Sequence, residues 1–292
     1  MISKSVTFLS TADKEKIALW KISNSEKNVI DNIFLTHGTF SNKNICLGIA
    51  NYFAIQGYCC YIMEWRNHGE SFHSKKKFNF ETIALYDLKT VFTYLFEKLK
   101  LNSIHCITHS GGGISLSMFL IKHNVYNEKI NSITMFACQV FGASNTVYNK
   151  FKIILSKFAT FLIGYIPARK IKLGPQNESY FTMKQWFDWN IKRNFYSTDK
   201  KFDYKINMPI IKIPIYSISA EGDSFIAPSI GCKIFLESFN NPCNIFKEFS
   251  IENRNLENYN HSRIIMSRNS AKEIWPTVLK WIEKTKDNNL YS

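Results

Sequence analysis

A serine followed by three glycines stands directly behind an apolar stretch in Ile107–Gly113 (ITHSGGG). Glycine inside a helix or strand costs roughly 0.5–1 kcal/mol relative to alanine, so three in a row need a geometric reason. A phosphate-binding loop is excluded because no Gly-Lys-Ser/Thr triplet follows. Small residues two before and two after Ser110, at Thr108 and Gly112, fit the sharp strand-to-helix turn called a nucleophile elbow. Ser110 is therefore a candidate nucleophile, and the alternative is a glycine-rich turn that only packs well.

The elbow also predicts where the negative charge of a reaction intermediate would be held. The backbone N–H of Gly111, at the start of the following helix, faces the place where an oxyanion would form. Thr108 stands where the elbow usually has glycine, but it is still a small residue. A second donor is predicted in HGTF (37–40), at the end of an early strand: the backbone N–H of Thr39, with Phe40 as the alternative. The other interpretation of HGTF is an ordinary strand-to-helix turn.

A serine hydroxyl needs a base to take its proton and a carboxylate to orient that base. Of the seven histidines, only His261 lies after the last predicted strand, in a loop that leads into a C-terminal helix. Loops after the carboxyl ends of parallel strands share one edge of the sheet, so His261 can reach Ser110 from there. The alternative is a histidine on the surface.

The carboxylate should follow a strand that comes later than the elbow strand. Glu221 and Asp223 directly follow the apolar run 213–220. Asp223 is preferred because Gly222 permits a sharp turn, and Glu221 is the alternative. The predicted catalytic residues are Ser110, Asp223 and His261 in chain order.

Short apolar runs that alternate with helical patterns would position these residues. The predicted strands are 32–38, 58–65, 103–110, 132–140, 213–220 and 244–251, and the predicted helices are 45–56, 81–99, 113–123 and 229–238. Most of these runs are nearly continuous in apolar residues, as strands are when both faces of a sheet are covered. The alternation predicts parallel strands with crossover helices, preceded by an N-terminal antiparallel hairpin.

Residues 142–207 break this rhythm and are predicted to form a helical insertion that folds over the sheet edge carrying Ser110. One apolar stripe at helical spacing comprises Phe151, Ile154, Leu155, Phe158, Phe161, Leu162 and Tyr165. The stripe has three interpretations: ordinary core, the wall of an acyl pocket, or a membrane-docking face flanked by basic residues. The predicted pocket residues are Phe40, Phe158, Phe161 and Trp186.

The composition limits the partners that we expect. The net charge of +14 comes from 37 basic and 23 acidic residues, but only six of the basic residues are arginine and the lysines are spread along the chain. This pattern predicts a solvated lysine surface and no nucleic-acid partner. Seven cysteines without a C-x-x-C pair predict buried thiols. The first residues lack the apolar core of a signal peptide, so a cytoplasmic location is expected.

Four segments together resemble the α/β-hydrolase family. THSGG (108–112), HGTF (37–40) and GDSFIAP (222–228) match its elbow, oxyanion loop and acid loop in the right order. EWRNHGESF (64–72) is similar to the family's D-x-R-G-x-G-x-S segment, with Glu64 in place of Asp and Asn67 in place of Gly. That segment is generally structural, so no chemistry is assigned to it.

The segments 162–190 and 194–204 also resemble the cap of a group of poorly characterised bacterial serine hydrolases. The resemblance covers almost the whole chain and implies an α/β fold, with a mostly parallel, doubly wound sheet of eight strands. Residues 1–141 and 208–292 would form the core, and 142–207 a helical cap or lid.

The implied activity is that of a serine hydrolase acting on a small-molecule ester or thioester with an apolar acyl group, through an acyl-enzyme and without metal or cofactor. There are two alternatives: an acyltransferase that uses the same residues, and an inactive relative that binds a ligand without reaction.

Overall fold

The computed structural model describes residues 1–288, which form an eight-stranded sheet between two layers of helices. The strands of this sheet and of a small second sheet (β7, β8) are β1 (Ile2–Ser10), β2 (Lys16–Asn24), β3 (Asp31–Thr36), β4 (Tyr58–Met63), β5 (Ile104–His109), β6 (Ile130–Phe136), β7 (Tyr165–Ile166), β8 (Glu178–Ser179), β9 (Ile215–Ala220) and β10 (Ile245–Phe249). All six strands predicted for the parallel part of the sheet are present, as is the N-terminal hairpin formed by β1 and β2.

The strand order across the sheet is β1-β2-β4-β3-β5-β6-β9-β10. The pairs β1–β2 and β2–β4 are antiparallel, whereas every neighbouring pair from β4 to β10 is parallel. The chain passes from β3 to β4 on one side and then crosses to β5 on the other. The carboxyl ends of β3 and β5 therefore form a topological switch point, the place where open α/β sheets bind ligands. This confirms the mostly parallel, doubly wound sheet and places Ser110 at its switch point.

Adjacent residues of the central strands point to opposite faces of the sheet, and both faces are covered. In β3, Phe34 packs in one apolar layer with Phe92 and Phe119, whereas Ile33 packs in the other layer with Phe53. β4, β5 and β9 are buried along their whole length, which explains why they do not show the apolar–polar alternation of a half-exposed strand. Six of the seven cysteines are buried, as predicted, whereas Cys243 is exposed.

The helices that cover the sheet and its edge are α1 (Asn44–Gln56), α2 (Phe80–Thr82), α3 (Lys89–Thr93), α4 (Gly111–Lys122), α5 (Val147–Ile163), α6 (Tyr180–Lys192), α7 (Tyr204–Asn207), α8 (Ser229–Glu237), α9 (Arg263–Met266), α10 (Arg268–Glu273) and α11 (Trp275–Asn288). The predicted helix 81–99 is α2 and α3 joined by a π-helical turn, with a second π-helical turn after α3. α4 begins two residues before the predicted start, because Gly111 and Gly112 are already helical. No helix within residues 1–288 is long and apolar enough to cross a bilayer.

The segment between β6 and β9 contains α5, α6 and the two-residue strands β7 and β8, and it is tied to the chain before β5 by polar contacts. Gln185 Oε1 accepts a hydrogen bond of 2.9 Å from the backbone N–H of Phe80. The Tyr204 hydroxyl donates to Glu81 Oε1 at 2.8 Å. These contacts support the predicted insertion, but the exact boundaries of a separate cap stay a prediction.

The apolar stripe of α5 does not pack into the core. Phe158, Phe161 and Leu162 are 59%, 60% and 67% exposed, and the residues that α5 buries are Ile153 and Thr160 on its other side. The interpretation of the stripe as ordinary core is therefore wrong, because the helix turns its mixed face inward and its apolar face to solvent.

Candidate active site

Ser110 occupies a sharp turn between β5 and α4, with φ +53° and ψ −125°. A residue other than glycine in such a backbone conformation costs roughly 1–3 kcal/mol, and it persists only where the surrounding structure holds it. The Ser110 N–H donates to the carbonyl of Phe136 at 2.8 Å, which fixes the turn to the neighbouring strand. The nucleophile elbow predicted from the sequence is therefore present in its geometry.

The three glycines after Ser110 have steric reasons. A Cβ atom on Gly112 would lie 2.7 Å from the carbonyl oxygen of His37, so only glycine lets α4 approach the end of β3. A Cβ on Gly113 would lie 2.6 Å from the Cys138 sulfur, and one on Gly111 would lie 2.8 Å from the Phe80 ring. Each glycine therefore removes a clash with a different neighbour of the elbow.

The threonine that replaces the usual first glycine of the elbow fits without strain on the turn. Thr108 is fully buried, and its hydroxyl lies 3.4 Å from the carbonyl oxygen of Thr134 and 3.7 Å from the Cys138 sulfur. The hydroxyl thus has acceptors on β6 and in the loop after it, so the larger side chain leaves no buried donor without a partner.

Ser110, His261 and Asp223 form a continuous chain of hydrogen bonds. His261 Nε2 lies 2.9 Å from Ser110 Oγ, and His261 Nδ1 is hydrogen-bonded to Asp223 Oδ2. An ionised carboxylate can only accept, so Nδ1 carries the proton and Nε2 is free to accept the Ser110 hydroxyl proton. This is the arrangement in which a histidine serves as a general base toward a serine.

Asp223 is buried and is held in its ionised form. Burial raises the pKa of this carboxyl, but the charge and hydrogen bond of His261 and the backbone N–H groups of Ala227 and Ile226 lower it by more, so its pKa lies below the usual value. The Ile226 N–H donates to Asp223 Oδ1 at 3.1 Å, which leaves Oδ2 for the histidine. A negative charge is thus present next to His261 at neutral pH.

The structure separates Asp223 from the alternative acid. Glu221 is exposed, and within residues 1–288 no hydrogen bond of its carboxylate is found. Gly222 is needed for a different reason from the predicted sharp turn: its backbone is not left-handed, but a Cβ there would lie 2.6 Å from the carbonyl oxygen of Tyr259. The glycine therefore lets the loop of Asp223 pack against the loop of His261.

His109, to which no role was assigned from the sequence, contacts His261 twice. Its Nε2 lies 2.8 Å from the backbone carbonyl oxygen of His261, and the two rings are 4.8 Å apart. Burial lowers the pKa of His109 to about 3, with a further decrease from the nearby charge of His261, so the ring is neutral and Nε2 is the donor. Its place directly before the serine was the only sequence signal.

The two backbone N–H groups that the sequence predicts to hold an oxyanion belong to residues near Ser110. Within the described chain, neither the Thr39 nor the Gly111 N–H donates a hydrogen bond to another protein group, and both residues line a cavity that reaches Ser110. A Cβ on Gly38 would lie 2.6 Å from the Ser110 Cβ, so the peptide that follows Gly38 is against the elbow. Within residues 1–288 the Phe40 N–H also has no protein acceptor, so the proximity of the Gly38–Thr39 peptide to the elbow is what favours Thr39.

The cavity over Ser110 has a volume of about 320 Å³ and is mostly apolar. Its walls come from the loop after β3 and from the insertion and include Phe40, Ile163, Met183, Trp186 and Phe187. Phe40 and Trp186 are thus in the predicted place. Phe158 and Phe161 are not, because both lie on the outer face of α5, and Ala159 and Thr160 face the cavity instead.

A second, more polar cavity of about 550 Å³ lies on the other side of His261. Its polar side chains include Asn42, Asn44, Lys172, Asn260 and Ser262. Thr39 and Phe40 border both cavities, so the two spaces meet at the proposed oxyanion site.

The segment EWRNHGESF stabilises the loops around the site. The Arg66 guanidinium is fully buried and pairs with Asp87 at 2.5 Å and with Asp13 at 2.7 Å. Glu64 accepts hydrogen bonds from the Trp20 indole and from the backbone N–H groups of Lys43 and Glu70. These contacts keep the loop after β4 in place beside β3.

His68 of the same segment connects the core to the insertion. Its Nε2 lies 3.1 Å from Glu178 Oε2, and both side chains are 1% exposed. Burial lowers the pKa of His68, but the charge and hydrogen bond of Glu178 raise it by more, so His68 is more basic than an exposed histidine.

Comparison with known proteins identifies the fold. A family model described as the alpha/beta hydrolase fold matches residues 31–154. The chain has the α/β-hydrolase fold. No curated protein matches its sequence.

Solved α/β-hydrolase structures are similar to nearly the whole chain, at low sequence identity. An esterase from Exiguobacterium antarcticum has a TM-score of 0.68 and 15% identity, over 96% of this chain and 100% of that one. An esterase from Pyrococcus furiosus has a TM-score of 0.66 and 16% identity, over 97% and 91%. Mouse alpha/beta hydrolase domain-containing protein 10 has a TM-score of 0.67 and 14% identity, over 96% and 99%. At such identities the likeness establishes the fold.

Proposed function

We propose that this α/β-hydrolase is a serine hydrolase that cleaves a carboxylic ester or thioester through an acyl-enzyme. The observation that carries the proposal is the position of His261 between Ser110 Oγ, at 2.9 Å, and the buried carboxylate of Asp223, at the base of an apolar cavity. The esterases among the similar structures agree with this chemistry.

Acylation uses the proton acceptor at His261 Nε2. As Ser110 Oγ attacks the acyl carbonyl carbon, its proton moves to Nε2, and Asp223 stabilises the resulting imidazolium. The carbonyl oxygen gains negative charge and is held by the N–H groups of Thr39 and Gly111. His261 then donates its proton to the departing oxygen or sulfur, which leaves an ester between Ser110 and the acyl group.

Deacylation repeats these steps with water. His261 Nε2 takes a proton from the water molecule, the hydroxide attacks the acyl carbonyl, and the same N–H groups hold the oxyanion. Collapse of the intermediate returns the proton from His261 to Ser110 Oγ and releases the carboxylic acid. Ser110, His261, Asp223 and the two backbone N–H groups thus take part in both acylation and deacylation.

Each of the two cavities binds a different part of the substrate. The acyl group of the ester fits the apolar cavity under Trp186, whose volume of about 320 Å³ suits a medium-length chain. The leaving group fits the polar cavity beside His261, where Asn260 and Ser262 offer hydrogen-bonding groups. The substrate class is therefore a small molecule with an apolar acyl part and a polar alcohol or thiol part.

The proposal is tested by trapping the acyl-enzyme. Purified protein is treated with a fluorophosphonate and separately with p-nitrophenyl butyrate, and intact-mass and peptide mass spectrometry locate the adduct. We expect one adduct on Ser110 and steady release of p-nitrophenol. A protein that is folded but neither labelled nor active on esters and acyl-CoAs of graded chain length would instead be a binding protein on a hydrolase fold.

An acyltransferase is the second candidate, because the polar cavity also offers an acceptor alcohol or amine a place next to His261. Product analysis with and without added glycerol or other small alcohols separates the two activities. Hydrolysis predicts free acid as the main product in both mixtures, whereas acyl transfer predicts that the new ester dominates at acceptor concentrations far below that of water.

A further inference from the structure

The outer face of α5 carries a row of large, exposed apolar side chains. Six large side chains on this face are 46% to 67% exposed: Phe151, Ile154, Leu155, Phe158, Phe161 and Leu162, called here the docking face. They recur every three or four residues, which places them along one side of the helix. Contiguous apolar surface of this kind on a water-soluble fold marks a site of interaction.

The chain segment that contains the docking face is basic. Residues 144–177 contain six basic residues and no acidic residue, which gives a local net charge of 6 − 0 = +6. The basic residues are Lys150, Lys152, Lys157, Arg169, Lys170 and Lys172. Lys157 pairs with Asp188, and within residues 1–288 no ion pair is found for the other five.

The docking face is continuous with the mouth of the cavity over Ser110. Ile163, Tyr165, Ile171 and Leu173 line that cavity and are themselves 39% to 55% exposed. Ile163 is the last residue of α5 and directly follows Leu162 of the docking face. The docking face therefore borders the opening of the cavity that leads to Ser110.

We propose that the docking face binds an anionic lipid surface. Aromatic and aliphatic side chains on one side of a helix, flanked by lysine and arginine, are what an interfacial helix requires: the apolar side chains enter the acyl region while the cations remain among the headgroups. Only one face of α5 is apolar, so the helix would lie along the membrane–water interface and insert that face alone.

The charge argues against a second copy of the chain as the occupant. A symmetric dimer through this face would bring the same patch of both copies together. Two surfaces that each carry the five basic residues without an ion pair in residues 1–288 would then face each other, which disfavours association, whereas anionic headgroups neutralise the same charges.

The experiment is vesicle flotation of the Ser110→Ala protein, so that no lipid is consumed. Vesicles of equal parts phosphatidylglycerol and phosphatidylcholine are compared with vesicles of phosphatidylcholine alone. We expect flotation with the anionic vesicles, at least tenfold weaker binding to the neutral ones, and weaker binding at high salt because the Debye length shortens.

Two variants separate the apolar and the ionic contributions. Phe151→Ser with Phe158→Ser should weaken vesicle binding tenfold or more. The matched control is Phe8→Ser with Phe72→Ser, a pair of partly exposed phenylalanines on β1 and in the loop after β4, which should bind as the parent does.

The charge variant replaces Lys150, Lys170 and Lys172 by Gln. Each lysine near an anionic membrane contributes roughly fivefold to binding, so we expect about a hundredfold loss. The control replaces Lys4, Lys27 and Lys233 by Gln, which removes the same net charge from exposed sites outside residues 144–177.

Absence of flotation, equal binding to both kinds of vesicle, or equal losses in variants and controls would overturn the proposal. It would also be overturned if light scattering showed that the parent protein is a dimer and that the phenylalanine variant is a monomer. These results do not depend on catalysis: a failed flotation leaves turnover of soluble esters intact, and a protein without esterase activity can still float.

Discussion

His109 Nε2 donates a hydrogen bond of 2.8 Å to the backbone carbonyl of His261. The residue directly before the proposed nucleophile therefore holds the backbone of the proposed base, across 152 positions of sequence. Because burial lowers the pKa of His109 to about 3, the ring that makes this bond is neutral near pH 7. His109 is in this sense a positioning residue, since it acts on the reaction through His261.

We expect His109→Ala to lower kcat by roughly fivefold, since the lost hydrogen bond is worth about 1 kcal/mol and its loss frees the His261 loop. KM should change little, because the substrate does not touch His109. His109→Gln keeps a donor at a similar position and should restore most of the rate. If Gln and Ala behave alike, or if KM changes instead of kcat, the positioning role is wrong.

Ser110→Ala should remove turnover while the fold remains. Loss of a triad serine typically costs about 10⁴-fold or more in kcat. Steady-state kinetics on p-nitrophenyl butyrate, together with circular dichroism to confirm folding, checks this. Retention of a tenth of the parental kcat would exclude Ser110 as the nucleophile.

Asp223→Asn and Glu221→Gln form a matched pair, because each replaces a carboxylate by its amide in the same loop. Without the Asp223 charge, His261 takes the wrong tautomer and its imidazolium is unsupported, so we expect a loss of roughly 10³-fold or more in kcat. Glu221 is exposed, and its replacement should leave kcat within about twofold. The opposite ranking would assign the acid to Glu221.

Trp186→Leu should shift the preferred acyl chain toward greater length, because Trp186 forms part of the cavity wall over Ser110. Each buried methylene is worth about 0.8 kcal/mol, so kcat/KM should rise severalfold per two carbons until the cavity is full. The measurement is the ratio of kcat/KM for octanoyl and butanoyl esters, which cancels losses of active protein.

Trp189→Leu is the control for this shift. Trp189 lies on the same helix and is equally large and buried, but it does not line the cavity. Its replacement should lower stability and leave the octanoyl-to-butanoyl ratio unchanged. A flat chain-length profile in the parent protein would contradict an acyl pocket.

The ion pair between His68 and Glu178 should make stability depend on pH. The folded protein raises the pKa of His68, so its contribution is fully present below the pKa of the unfolded chain, about 6.5, and is lost as the pH rises through the folded value. We therefore expect the free energy of unfolding to fall as the pH rises above about 6.5. Urea denaturation between about pH 6 and 9 measures it.

His68→Gln should flatten this pH dependence, and Glu178→Gln should flatten it too, because each removes one partner of the pair. The neighbouring His37 ring, 5.2 Å from His68, is buried with its pKa well below the usual value and stays neutral over this range. Glu64 also lies close enough to raise the pKa of His68, so a small slope should remain in Glu178→Gln. An unchanged slope in His68→Gln would contradict the assignment.

The sequence by itself predicted the strands of the sheet and the proposed catalytic residues. Ser110 was recognisable because the elbow is a local motif, whose glycines avoid clashes with the Phe80 ring, with the end of β3 and with the loop after β6. Asp223 and His261 followed from chain order, since the loops after successive parallel strands must share one edge. Their catalytic roles and the cytoplasmic location stay predictions.

Only the tertiary structure showed which way the faces of the helices point. The spacing of Phe158 and Phe161 indicated an apolar stripe, but periodicity is the same whether a stripe faces the core, a cavity or solvent, and only the packing of α5 on its other face turned it outward. Likewise, the bonds of His68 to Glu178 and of His109 to His261 join residues more than a hundred positions apart. No local pattern encodes such pairs, because they arise where separate loops are brought to the same edge of the sheet.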